Sequence, residues 1–329
     1  MIQNTRAFEN RVRLAGALVL LLLAFAGSPF ATRASASSDV SVLTFNLYQL
    51  PWVADTNTAG KQQRADHAAA LIRRENADVV VLEEAFSAQA ETMRTSLRTE
   101  YPHQTPLLGQ SCSASAGWTA VSGNCSNSPV VVNGGVTILS KRPITASYQH
   151  VFNASQRWTA DYYANKGVAL VRIDTGDGPL WIAGTHLQAD TTASARPEAH
   201  RVRMNQLGEI ATLVGARTGG DPVVLAGDLN VEYYAGATRL DGAGRNEIQQ
   251  AQVRSGFTVG DPSAYGYSYD GVTNPLVAAQ GYASYRDTLD YVGVRTGGSA
   301  SLSPVTLVGF AAGAVASDHY PVRATVTVP

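Results

Sequence analysis

The chain has 329 residues, 45% of them hydrophobic and 16% charged, with a formal net charge of −1. This composition excludes a disordered or low-complexity chain, which lacks the apolar residues to build a core. It also excludes the basic surplus with which a protein grips nucleic acid through its phosphates.

Arg6, Arg11 and Arg13 precede an apolar run over residues 14–26, and Ala34-Ser35-Ala36 follows as a small-x-small cleavage pattern. This order predicts a secretory signal peptide over residues 1–36 rather than a retained anchor, because the run is shorter than the roughly 20 residues a spanning helix needs. Residues 37–329 then form one large domain, secreted and extracellular, with no repeat or linker to divide it. Without residues 1–36, which hold four Arg and one Glu, the chain keeps 21 basic and 25 acidic residues, a net charge of −4.

Apolar, β-branched runs at 41–45, 77–82, 180–185 and 222–227 predict buried strands. Residues 60–76 and 87–99 read as amphipathic helices, and 101–134 as a long Ser, Gly, Asn and Pro-rich excursion. That excursion holds Cys112 and Cys125, the only cysteines, which can pair in an oxidising compartment. Residues 135–140 and 144–152 read as strands paired across Lys141-Arg142-Pro143. Residues 167–173 and 180–185 read as a hairpin turning at 175–178. Residues 197–215 form the strongest helix, with Pro197 in its first turn. An aromatic loop with Tyr265, Tyr267, Tyr269, Tyr282 and Tyr285 follows, then strands at 288–294, 302–310 and 320–328. So many strand pairs joined by tight turns favour an α+β fold, two packed, mostly antiparallel sheets with helices outside, over a doubly wound parallel sheet.

Polar residues stop the apolar runs at Asn46, Glu84, His186, Asp228 with Asn230, and Asp318 with His319. Side chains at such ends share a sheet edge, where carboxylates and amides suit a hard cation and an imidazole suits proton transfer. Either Glu83 or Glu84 faces the site and coordinates a divalent cation, to which Asn46 can add a carbonyl oxygen. Asp228 and Asn230, two apart in an extended segment, point the same way; the alternative is an Asx turn. His319 reads as a general base, with Asp290 near it if the last strands are neighbours. His186 is the second imidazole, able to donate to a phosphoryl oxygen. No Gly-x-Ser-x-Gly, Walker loop, His-Glu-x-x-His or Gly-x-Gly-x-x-Gly occurs, and clustered His and Cys ligands for zinc are missing.

The ordered set Thr44-Phe45-Asn46, Leu82-Glu83-Glu84, Gly184-Thr185-His186-Leu187, Gly227-Asp228-Leu229-Asn230, Leu289-Asp290-Tyr291 and Ser317-Asp318-His319 resembles the endonuclease/exonuclease/phosphatase superfamily. Gly134 to Ile144, Asn165-Lys166-Gly167-Val168 and Tyr267-Ser268-Tyr269-Asp270 with Thr273-Asn274 are similar to the secreted bacterial neutral sphingomyelinases within it. The resemblance implies a four-layer α/β/β/α sandwich of the DNase I type. It implies a Mg²⁺-dependent phosphodiesterase, with Mn²⁺ or Co²⁺ as other cations, that cleaves sphingomyelin to ceramide and phosphocholine. Glu84 and Asn46 match metal-site positions, and Asp228 and Asn230 the pair that orients water and phosphate. His319 matches the base, Asp290 its orienting partner, His186 the second histidine and Asp318 a polar position of the same loop. The implied partner is a choline-phospholipid membrane surface met by a monomer, with no nucleic acid. A secreted nuclease of the same fold and an inactive membrane-binding toxin subunit are the competing readings. In one respect the chain departs from the resemblance: residues 294–316 carry only Phe310 where family members place a membrane-entering aromatic hairpin, which leaves Trp52 or the tyrosine loop for that task.

Overall fold

The computed structural model describes residues 37–329 except Val53. The signal-peptide reading of residues 1–36 lies outside the described residues. Nine strands carry most of the architecture: β1 (Ser38–Gln49), β2 (Val79–Ala85), β3 (Thr137–Ser140), β4 (Ile144–Val151), β5 (Gly167–Asp174), β6 (Pro179–His186), β7 (Val223–Asp228), β8 (Asp290–Arg295) and β9 (Val322–Val328). Four longer helices accompany them: α1 (Thr58–Glu75), α2 (Ala88–Ser96), α3 (Arg196–Arg217) and α4 (Glu247–Ser255).

One sheet runs Ser301–Leu302, β9, β1, β2, β3, His103–Gln104; the other runs Phe257–Val259, β8, β7, β6, β5, β4, Ala120–Gly123. Most pairs are antiparallel, while β1 with β2, β6 with β7, and β4 with Ala120–Gly123 are parallel. Successive strand residues face opposite sides, and this alternation sorts the apolar residues into three layers. Val42, Val79, Val81, Ile138, Ile182, Val224 and Val292 fill the space between the sheets. Leu43, Phe45, Val80 and Leu82 face α1 and α2 through Ala65, Ile72 and Met93. Leu170, Trp181 and Leu225 face α3 and α4 through Leu207, Ile210 and Ile248. The result is the expected four-layer sandwich. Its strands are apolar on both faces, which is why they read as unbroken Val and Leu runs.

The sheets lie in close contact at Gly184, where a Cβ would lie 2.9 Å from Val81 Cγ1 and 3.1 Å from Ile138 Cδ1. Helix α1 starts where Asn57 caps it by accepting from the Gly60 amide at 3.0 Å, and ends at Asn76 in the left-handed conformation, φ +50°.

Two readings of the sequence need correction. β3 and β4 are not partners: β3 pairs with β2 in one sheet and β4 with β5 in the other. Lys141-Arg142-Pro143 carries the chain between the layers, in a bend held by Ser140 Oγ, which donates to the Arg142 carbonyl at 2.8 Å and accepts from its amide at 3.0 Å. A tight link between two apolar strands looks the same whether it joins neighbours or crosses layers. Residues 302–310 do not form one strand but two short pieces, Ser301–Leu302 and Thr306–Leu307, both on β9. Pro304 lies between them and has no amide to donate to a ladder.

Cys112 and Cys125 are disulfide-bonded, 13 residues apart. Replacing both with Ser should lower unfolding free energy in urea by about 3 kcal/mol, the loop-closure contribution for a loop of this length. An unchanged midpoint would show that the excursion is held by its other contacts.

Candidate active site

The inner faces of the sheets run out of apolar residues at one end. On β1 the inward positions continue Val40, Val42, Thr44 to Asn46; on β2, Val79, Val81 to Glu83; on β6, Ile182, Gly184 to His186; on β7, Val224, Ala226 to Asp228. β8 enters from that end and starts at Asp290 before Val292. Register aligns them. Asn46 stands opposite Glu83, and Asp228 has His186 on one side and Asp290 on the other. β6 and β7 pass closely here because of Gly227, where a Cβ would lie 1.9 Å from the Thr185 carbonyl oxygen.

Asp228 is the hub. Its Oδ2 accepts from Asn46 Nδ2 at 3.0 Å and lies 3.4 Å from His186 Nε2 and 3.8 Å from His319 Nε2. His319 comes from the loop before β9, and its Nδ1 lies 2.8 Å from Asp290 Oδ2. These groups are buried. Burial works against charge on His319, but Asp290 and Asp228 outweigh it and hold the ring's proton affinity well above the ordinary range. Burial, then Lys166 and His319, push His186 well below that range. Burial and the neighbouring Asp290 raise the Asp228 carboxyl.

Asn230 belongs to the site edge by a turn, not by an extended strand. Its φ is +50°, its amide donates to Asp228 Oδ1 at 2.9 Å, and its side-chain Nδ2 donates to the Leu187 carbonyl at 3.1 Å. The Asx turn and the site are thus the same feature. Asp318 faces another way from its neighbour His319. Its Oδ2 accepts from Gln280 Nε2 at 2.8 Å, while Asn274 Nδ2 fixes the loop by donating to the carbonyls of Ser317 and Asp318 at 2.9 and 3.0 Å.

Both glutamates of β2 reach the site. Strand alternation turns Glu83 inward, where Oε1 accepts from Thr44 Oγ1 at 2.7 Å and buried Oε2 has no partner among the described residues. The same alternation would turn Glu84 to the helix side, but its φ of +51° re-aims it. Burial and the nearby Asp318 raise the Glu84 carboxyl, against the charges of His319 and Lys166 and a hydrogen bond from Asn46. A carboxylate crowded by another acid, with the Asn46 side chain beside it, suits a hard divalent cation. Asp228, Asp290 and His319 also bring ligand atoms within 4.8 Å of one another. There, however, the 2.8 Å contact is that of a hydrogen bond, so a proton accounts for the closest pair.

Lys166 was not singled out for a role by the sequence. Its Nζ lies 3.2 Å from His186 Nε2, donates to the Leu187 carbonyl at 2.9 Å and pairs with Asp161 at 2.8 Å. Its only sequence signal is rarity, as one of three lysines in the chain.

Residues 43–319 match the family model described as the Endonuclease/Exonuclease/phosphatase family. The chain is 37% identical to a Listeria ivanovii sphingomyelinase C over 177 residues, 53% of this chain but only about half (51%) of that protein. It is 31% identical to a Bacillus cereus sphingomyelinase C over 258 residues, 77% of this chain and 74% of that one. Among solved structures, a mutant beta toxin from Staphylococcus aureus with bound magnesium ions superposes with a TM-score of 0.74 at 27% identity, covering 87% of this chain and 99% of that one.

Burial lifts the Glu83 carboxyl well above its ordinary range. The folded state therefore keeps a proton there that the unfolded chain releases. The stability from this linkage is complete below the unfolded carboxyl's range and is lost as pH rises toward the folded value. Glu83→Gln should remove that decline between about pH 5 and neutrality, measured by urea unfolding in EDTA. An identical pH slope in both proteins would mean that Glu83 is ionised in the fold.

Proposed function

Because the chain belongs to the Endonuclease/Exonuclease/phosphatase family, with sphingomyelinase C relatives, we propose that it is a sphingomyelin phosphodiesterase of the phospholipase C type, hydrolysing sphingomyelin to ceramide and phosphocholine. The observation that carries this reading is His319 held by Asp290 at 2.8 Å, with Asp228 on its other face and Glu84 on the same edge. A nuclease reading has less support, since the net charge of residues 37–329 is −4.

In the reaction, His319 in its neutral form takes a proton from the water whose oxygen bonds to phosphorus, while the bond from phosphorus to the ceramide oxygen breaks and the leaving alkoxide takes up a proton from solvent to give ceramide. Asp290 fixes the ring and stabilises the imidazolium that forms. Asp228, steadied by Asn46 and by the Asn230 turn, orients the water and the phosphate. His186 and the Lys166 ammonium beside it offer hydrogen bonds to a phosphoryl oxygen as negative charge grows there. Glu84 and the Asn46 carbonyl oxygen would hold Mg²⁺, which supplies charge stabilisation to the phosphate and the leaving alkoxide. Asp318 keeps the His319 loop in place through Gln280. We also infer secretion as a monomer after removal of residues 1–36, with a choline-lipid membrane as the surface encountered. Among the described residues no helix is long and apolar enough to cross a membrane.

Hydrolysis of sphingomyelin in mixed micelles should stop in EDTA and return with Mg²⁺. His319→Ala should lower turnover by about 10²- to 10⁴-fold while leaving co-sedimentation with sphingomyelin vesicles intact. Full activity in EDTA would remove the cation from the account; plasmid nicking with sphingomyelin untouched would overturn the substrate.

A further inference from the structure

A second cluster of reactive side chains lies away from the edge that holds His319. Ser122 is on the short strand Ala120–Gly123, the outermost of its sheet, where it stands directly opposite His150 of β4. Helix α3 brings Glu209 to the same place. Ser122 Oγ lies 2.9 Å from His150 Nδ1, and His150 Nε2 lies 2.8 Å from Glu209 Oε2. Three separate elements thus line up a hydroxyl, an imidazole and a carboxylate.

The partners set the role of each atom. Glu209 also accepts from the amides of Asn153 at 2.8 Å and Ala154 at 2.9 Å, and from Asn153 Nδ2 at 2.9 Å. Burial works against its charge, but His150 and these donors hold the carboxyl below its ordinary range. A carboxylate only accepts, so His150 Nε2 donates to Glu209, and Nδ1 of the neutral ring presents its lone pair to Ser122. A base oriented by an acid and touching a hydroxyl is the arrangement that activates a serine, recognised by geometry rather than by sequence position. Exposure follows the same order. Ser122 is open to solvent, whereas the His150 and Glu209 side chains are 14% and 17% exposed.

The three residues line an open cleft of about 730 Å³ together with Leu213, Arg217 and Arg254. The Arg217 guanidinium carbon lies 4.7 Å from the Tyr148 ring centroid, and Arg254 Nε donates to the Met204 carbonyl at 3.0 Å. Among the described residues neither forms a salt bridge, so the cleft offers positive charge beside an apolar wall. Ser122 also lies within the loop closed by Cys112 and Cys125, which restrains the strand that carries it.

We propose that Ser122, His150 and Glu209 form a second hydrolytic centre, one that cleaves small carboxylic esters bearing an anionic group. Ser122 Oγ bonds to the acyl carbon as its proton passes to His150 Nδ1; the ester C–O bond breaks, and the leaving oxygen takes that proton. Water then loses a proton to the same nitrogen, cleaves the acyl-serine, and releases the acid with the hydroxyl restored. Glu209 is a positioning residue that holds the ring in this tautomer. The centre is independent of the phosphodiesterase reading, since none of its residues serves that reaction.

Covalent labelling and ester kinetics test it. A fluorophosphonate probe should attach to the native protein at Ser122, mapped by peptide mass, and Ser122→Ala should lose both the label and hydrolysis of p-nitrophenyl hemisuccinate. His150→Gln and Glu209→Gln should each lower kcat for that ester by about 10²- to 10⁴-fold, with KM unchanged in Glu209→Gln. The hemisuccinate should exceed p-nitrophenyl acetate in kcat/KM by about fivefold, the reach of an exposed ion pair, and Arg217→Gln should remove that preference. Native protein that stays unlabelled, a label only at another residue, or equal kcat in native protein and His150→Gln overturns the centre. A Glu209→Gln variant altered in KM alone overturns the positioning role, and equal rates on the two esters overturn the anionic substrate class.

Discussion

Everything at this edge of the sandwich follows from the difficulty of burying several carboxyl groups together. Glu83, Asp228 and Asp290 are withdrawn from water, and three bare negative charges at such separations would be expelled by mutual repulsion and lost hydration. The fold answers with protons and donors. Glu83 is pushed toward its neutral form by burial; Asp290 shares His319; Asp228 takes the Asn46 amide and faces two imidazoles. Glu84, at the rim, sets the charges of His319 and Lys166 and a hydrogen bond from Asn46 against its burial and the nearby Asp318.

Much of this was legible because strand geometry is simple. A polar residue two places beyond an inward-facing Val or Ala must also face inward, so Asn46, His186 and Asp228 declare themselves once the runs are recognised as strands. His319 was legible beside Asp318 as a base, and Asp290 as its partner only on the condition that the last strands are neighbours, since nothing local says that β8 lies beside β7. The Glu83–Glu84 pair shows where the rule breaks: alternation selects Glu83, and only the left-handed turn at Glu84, invisible in composition, brings the second acid round. Lys166 escaped because a long side chain reaching across a strand leaves no periodic mark. The crossing at Lys141–Pro143 escaped because the apolar strands on either side could pair with almost any neighbour.

A second ionic network supports the floor beneath the tyrosine loop. Arg203, fully buried on α3, pairs with Asp190 at 2.7 Å and Glu247 at 3.0 Å. Arg239 joins Glu247 to Glu232, the acid that accepts from Tyr285. Buried pairs of this kind add little net stability over an apolar core, but removing one partner leaves an uncompensated charge. Their value here is positional: they tie α3, α4, the segment after β7 and the aromatic loop into one unit.

The three-residue passage between β3 and β4 lies at the far end of both sheets. Ser140 pairs with the start of β2 and Ile144 with the end of β5, whereas Glu83 and His186 stand at the opposite extremities. The sandwich is therefore joined by the chain at its base and by side chains at its lip, where Asn46 reaches Asp228 and His319 reaches Asp290 across the two sheets. Midway, the bare backbone of Gly184 rests on Val81 and Ile138. A methyl group inserted there would press the two sheets apart and strain those bridges between them. The spacing of the reactive groups is thus written into the thickness of an apolar interior that no substrate touches.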